Sequence, residues 1–411
     1  MRMKFNKSSQ LVLVSAASIL VAGLMSACAS LTVDFVYVAS AKAAGPDNYG
    51  EINIFEVNSE SGKMRQIPAS PVPSQGRNPV AEVASADDAN LFVANQDDNT
   101  IVQFVIGNDG KLYPYNTVNT PGIYPLALAA SAANLFVADT FQPLPSCSTA
   151  APCSGSIAVY PLTAATKTAP VAMGSPAFNS AVTGSYWPLV VPGKPSDVIV
   201  PTAVSVLPSG AYVYVTAYDS SITPNAGYLF AFAVGSGGVL APVSGSPFAA
   251  GLHPSAIASD PSSKYVYATD YAGNNVLGYS VGGSGALTQL AGSPFKAGNA
   301  PSAIAVDQSF SFAYVANSTD ATITAYSITN GVLASLGNYT TGLQPVAIGI
   351  DPSTNHYLYT ANFLGNNVSG FQLNQSTGAL LISQSSPYPS NDQPTAVAAI
   401  PHNGIGAGVK P

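Results

Sequence analysis

A Pro-led run of alternating small and apolar residues recurs along the chain, and no other feature narrows the fold as far. Its anchors are Pro79, Pro125, Pro201, Pro254, Pro301, Pro345 and Pro394, spaced 46, 76, 53, 47, 44 and 49 residues apart. About 13 residues after most anchors comes a second run pairing an aromatic residue with a Val-type one, as in LFVAN at 91–95, VYATD at 266–270 and LYTAN at 358–362. A third run follows, such as NVLGYSV at 275–281. Then come a glycine turn and a fourth run that ends in Ser-Pro, as at Ser70-Pro71, Ser246-Pro247, Ser293-Pro294 and Ser386-Pro387. Period-two alternation over short runs bounded by turn residues reads as β-strands. The DPSS and DPST segments between first and second runs place proline at the second position of a turn.

A lone sheet of four short strands would expose both faces, whereas radial packing buries them against neighbours. Four-strand units recurring every 44–49 residues therefore specify a β-propeller. Six units are complete between Pro79 and about Ile382. The seventh is split: DFVYVAS at 34–40 is a second strand without its first, and QPTAVAAIP at 393–401 is a first strand without the rest. The expected fold is all-β, a seven-bladed β-propeller of four-stranded antiparallel blades, its ring closed by N- and C-terminal strands sharing one blade. Such closure removes free sheet edges. The propeller is placed at 34–401 and a tail at 402–411. The 76-residue interval holds two insertions, at about 140–155 and 179–199.

The N-terminus reads as an export leader. Arg2, Lys4 and Lys7 precede an apolar run, Leu11 to Leu24, too short to span a bilayer comfortably. Leu24-Met25-Ser26-Ala27-Cys28 resembles the bacterial lipoprotein box. The expectation is a signal peptide over 1–27, a lipid on Cys28 and a short tether to residue 33; a plain secretory signal is the alternative. Ala29, where many inner-membrane lipoproteins carry Asp, points to the outer membrane or cell surface. With Cys28 acylated, Cys147 and Cys153 remain as a disulfide pair in an oxidising compartment.

Charged residues make up only 8% of the chain and hydrophobic ones 47%. Three of the 13 basic residues lie in the leader, leaving 10 basic against 20 acidic ones and no basic cluster, which argues against nucleic acid as a partner. No cofactor motif is present, and Asp97 and Asp98 in NQDDNT fit no known calcium loop. A monomer, held to the membrane through Cys28, is expected.

The units, with their Pro-x-x-Ala-Ile, Asp-Pro-Ser, Tyr-Val-Tyr and Ser-Pro-Phe elements, resemble the seven-bladed lactonase-type propellers. That family includes 6-phosphogluconolactonase-like, muconate-cycloisomerase-like and YVTN-repeat proteins. The resemblance covers about 34–401 and implies two things: the propeller fold, and lactone hydrolysis as one activity the fold can host.

If the Pro-led strand is innermost, one face of the ring, here called the top, gathers the residues before each anchor. These are Asn78, Tyr124, Val200, His253, Ala300, Gln344 and Gln393. It also gathers the second-strand ends Ser40, Asn95, Asp139, Asp270, Asn317 and Asn362. Two uses of these polar groups stand open: convergence on a ligand at the axis, or hydrogen bonds to their own loops. In lactonase-like enzymes a His-Pro-His sequence opens an inner strand; here His253-Pro254 matches its first half and Ser255 replaces the second histidine. His253 is the candidate acid/base. His356 is expected on the opposite face, and His402 follows the last strand. Arg65 and Arg77 are the only arginines after the leader, a poor provision for phosphate. Trp187 is weighed as a sugar-stacking platform against packing of its insertion. Two functions follow: binding of a small molecule, glycan or envelope protein at the polar top face, or hydrolysis of an uncharged lactone.

Overall fold

The computed structural model describes residues 32–402 apart from 167, 168 and 353. The expected leader, Cys28 and residues 403–411 of the tail lie outside those residues. Seven antiparallel sheets build the described chain. Six, here blades one to six, begin in turn at Pro79, Ile123, Ile199, Pro254, Pro301 and Pro345. The closing blade joins Pro394–Pro401 to Thr32–Ala44, with Ser40 opposite Pro394 and Asp34 opposite Pro401. Each Pro-led strand touches those of both neighbouring blades, so seven inner strands form a closed ring about the axis. The fold is thus the seven-bladed propeller closed by its two terminal strands.

Directly after each anchor proline the ladder slips by one residue. Such a bulge re-aims the extra side chain. In three blades that side chain is a hydroxyl turned onto the next inner strand. Ser255 Oγ donates to the Pro301 carbonyl at 2.6 Å, Ser302 Oγ to Pro345 at 2.6 Å and Thr395 Oγ1 to Pro79 at 2.7 Å.

The seams between blades are apolar and repeat one contact. The buried Tyr37, Tyr214, Tyr267 and Tyr314 each donate a hydroxyl to a glycine carbonyl of the next blade, at 2.8–3.0 Å. The receiving residues, Gly110, Gly285, Gly331 and Gly378, have φ between +70° and +82°. A Cβ there would also lie 2.3–2.4 Å from the ring two residues before the tyrosine, namely Phe35, Tyr212, Tyr265 or Phe312. Left-handed backbone and ring contact together leave room only for glycine.

Two further motifs acquire physical roles. Buried Asp260, of the DPSS turn, accepts the N–H groups of Ser262, Lys264 and Tyr265 at 2.6–2.9 Å, fixing the link from first to second strand. The Ser-Pro segments sit where the fourth strand breaks in two. There the serine hydroxyl accepts a third-strand N–H that the break would leave unpaired: Ile54 to Ser70, Ala231 to Ser246, Gly278 to Ser293 and Gly370 to Ser386, all at 2.8–3.0 Å.

Blade two departs most from the repeat. Its second and third strands, Asn134–Phe141 and Ser156–Thr163, are separated by a loop closed by a Cys147–Cys153 disulfide with a Cα–Cα distance of 5.5 Å. Trp187 lies at the end of the second excursion. It pairs with Ile157 as the resumed outer strand and is 5% exposed. It therefore packs the core, and the stacking role considered for it does not hold.

Candidate functional site

The inner strands begin, and the second strands end, on one face of the ring. The polar strand ends there are turned inward. Asn95, Asp139, Asn317 and Asn362 are fully buried, and Asp270 is 2% exposed. Each holds backbone or hydroxyls of its own surroundings. Asn95 Nδ2 reaches the Ser74 carbonyl and Thr100 Oγ1, both at 3.4 Å. Asp139 accepts Thr120 Oγ1 at 2.6 Å and the Gly122 N–H at 3.2 Å. Asp270 accepts the N–H groups of Leu252, His253 and Gly273 at 2.9–3.1 Å. Asn317 accepts the Gly298 N–H at 3.0 Å and donates to Thr324 Oγ1 at 2.9 Å, and Asn362 donates to Asn367 Oδ1 at 2.7 Å and Ser369 Oγ at 2.9 Å. These side chains clamp the crossing from one blade to the next.

Asn78, Gln344 and Gln393 stand at the mouth itself, with φ of +54°, +54° and +61°. Their carbonyls accept the N–H groups of Gln96, Phe363 and Ala41 at 2.9 Å. Asn78 Nδ2 also meets Gln96 Oε1 and Asp97 Oδ1, at 3.2 and 3.1 Å. Asp98 holds Arg77 through Nε at 2.6 Å. The aspartates weighed for calcium thus face Arg77 and Asn78. Among the described residues no three His, Cys, Asp or Glu side chains converge on a metal-sized site.

His253, the candidate acid/base, stands at the mouth where the inner strand of blade four begins. It is half-buried between Tyr218, with ring centroids 4.0 Å apart, and the partly exposed Tyr271, at 5.8 Å. Burial pushes its pKa below the usual histidine value, outweighing the opposite pull of Asp270. The imidazole is therefore neutral at pH 7 and able to accept a proton. Ser255, which stands where the family's second histidine would be, spends its hydroxyl on Thr269 Oγ1 and the Pro301 carbonyl. Three cations around this face are matched by carboxylates, Lys42 by Asp392, Arg77 by Asp98, and Lys194 by Asp197 at 3.4 Å and Asp219 at 3.7 Å, whereas the exposed Lys296, on the outer strand of blade four, has no ion pair among the described residues. His356 lies in the first-to-second-strand turn of blade six, on the opposite face, beside Tyr357.

One titratable group escaped the site expectations. Glu82 occupies the inner-strand register held by Ile257 and Ile304 in blades four and five. Both carboxyl oxygens are buried with no well-aligned hydrogen bond, and the facing Ala39 and Ala398 backbone groups offset their burial only in part. Burial pushes the pKa up to about 8. The available signal was that Glu82 is the only charged residue within a described inner strand. It lies in the seam with the closing blade, away from the mouth.

Residues 288–398 match the sequence model of the family described as "Lactonase, 7-bladed beta-propeller". No curated protein matches the sequence. Among solved structures, a Bacteroides fragilis protein proposed as a 6-phosphogluconolactonase is 18% identical, with a TM-score of 0.66 over 90% of this chain and 99% of that one. The periplasmic gluconolactonase of Pseudomonas aeruginosa is 17% identical, with a TM-score of 0.68 over 90% and 99%. At such identities the likeness concerns the fold, and the substrate must be argued from the site. The chain is a seven-bladed propeller whose residues 288–398 match the lactonase-propeller sequence model and whose ring is similar in fold to these solved structures.

Proposed function

We propose that this chain is a lipid-anchored envelope propeller that receives an uncharged small molecule, free or as part of a glycan, at the top mouth of its axis. The observation that carries this reading is His253, a neutral imidazole set between two tyrosine rings where the inner strand of blade four begins. Aromatic faces with few convergent polar groups suit a ligand that has both apolar and hydroxylated surface. With Lys42, Arg77 and Lys194 paired to carboxylates, the free cation at this end among the described residues is Lys296, out on the fourth strand of blade four, which leaves little at the axis to recognise a phosphate.

The lactonase-type pattern favours a second reading, hydrolysis of an uncharged lactone. His253 would take a proton from the attacking water as its oxygen bonds to the lactone carbonyl carbon. The imidazolium would return that proton to the ring oxygen as the acyl C–O bond breaks. The test is a panel of neutral and phosphorylated aldonolactones offered to the exported protein, with acid release and calorimetric binding followed in parallel. Binding of neutral members without acid release supports the first reading, and turnover of them the second. Preference for the phosphorylated members contradicts both.

A further inference from the structure

The bottom of the ring carries a surface that the top mouth does not use. Thr32, where the described chain begins, pairs with Asn58 at the bottom end of the closing blade. A cleft beside it is lined by Thr32, Lys63, Arg65 and Gln384. A second cleft, of about 620 Å³, runs along the other side of the same hairpin, with Leu373 and Leu380 in its floor and Leu381 in its wall. Leu381 and Ile382 are 66% and 57% exposed, on the outermost strand of blade six. Leu336 of blade five, 43% exposed, approaches Gly378 in the neighbouring hairpin and extends this apolar rim. Arg65 is paired with Glu56, and Lys63 shares its hairpin with Glu60.

We infer that this rim is a membrane-docking surface, with Leu336, Leu381 and Ile382 resting in the interfacial layer of a bilayer while the top mouth faces away. The inference rests on the lipid-anchor reading of Cys28. Three residues, 29–31, separate Cys28 from Thr32, so the four steps between them reach at most about 14 Å when fully extended. An acyl chain on Cys28 therefore holds lipid against the face on which these aliphatic side chains stand exposed. The balanced charges around the rim make the docking apolar in origin, so it should persist at high salt and on zwitterionic lipid.

The test uses the full acylated protein in phosphatidylcholine vesicles brominated along the acyl chains. Trp187, buried and the only tryptophan, gives a constant background. Leu381→Trp and Leu343→Trp place a probe on the bottom rim and on a top loop, at residues 66% and 63% exposed. The probe at 381 should be quenched roughly twofold or more beyond that at 343, equally at low and high salt. A second measurement leaves the rim unaltered: amide exchange over Leu380–Ile382 should slow on vesicles. Equal or reversed quenching, or unchanged exchange, overturns the docking surface while leaving the anchor standing. An intact mass without diacylglycerol on Cys28 overturns the anchor and the docking together.

Discussion

Asp139 should weaken this protein as pH rises, and a single substitution should cure it. The carboxyl is fully buried, and burial pushes its pKa up to about 7 despite bonds from Thr120 and Gly122. An unfolded aspartate titrates near 3.8. Between these values the folded state keeps a proton that the unfolded chain has released, so stability is greatest at acid pH and falls as pH climbs towards 7. Across pH 5 to 8 the loss is roughly 3 kcal/mol at 1.36 kcal/mol per pKa unit. Asn95, Asn317 and Asn362 stand opposite the anchor prolines in three other blades, as Asp139 stands opposite Pro125. In those blades the amide Nδ2 donates to the residue opening the third strand: Thr100, Thr322 or Asn367. The corresponding residue in blade two is Ser156, whose buried Oγ has no partner. Asp139→Asn therefore removes the titrating group and supplies the missing donor. Urea unfolding followed by Trp187 fluorescence, which reports on the same blade, should show the variant more stable than wild type by a margin roughly 3 kcal/mol larger at pH 8 than at pH 5. Parallel pH profiles, or a variant weaker at pH 8, would refute the reasoning.

Glu82→Ile places in blade one the residue that blades four and five carry, and should add about 3 kcal/mol at pH 8 and less at pH 5, since burial holds the Glu82 pKa near 8. Tyr267→Phe strands the buried Gly331 carbonyl and should cost about 1–2 kcal/mol in urea unfolding. Tyr212→Phe, whose hydroxyl meets an exposed carbonyl at Gly283, should cost less. Cys153→Ser opens a bridge between cysteines six residues apart and should remove about 2 kcal/mol from that loop, seen as faster proteolysis within 143–152 with the far-UV spectrum unchanged.

The ring was legible because its signals repeat. Seven anchors and two complementary half-units, DFVYVAS and QPTAVAAIP, admit few arrangements other than a closed propeller. The roles of single polar residues were not legible, since a strand-end Asn or Asp looks the same whether it faces a ligand or its own loop. Burial separates the cases: Asn95, Asn317 and Asn362 clamp loops, whereas His253 stays partly open. Ser-Pro read as the end of the fourth strand, but its serine bridges a gap within that strand, a function defined only by the third-strand N–H across from it. In sequence Trp187 falls within an insertion, because the outer strand of blade two resumes after a long excursion that no periodicity spans. Glu82 looked like one position in an alternating run; only the seam it faces makes it a buried acid.

The most direct test of the top mouth as the functional site compares His253→Ala with His356→Ala, matched for folding by circular dichroism and thermal unfolding. Each is assayed against whichever neutral lactone or sugar the wild-type protein binds or hydrolyses. His253→Ala should reduce affinity or kcat/KM by about 100-fold, the scale of a lost acid/base or anchoring group. His356→Ala, on the opposite face, should leave both unchanged. Equal losses in the two variants, or full function in His253→Ala, would contradict the account.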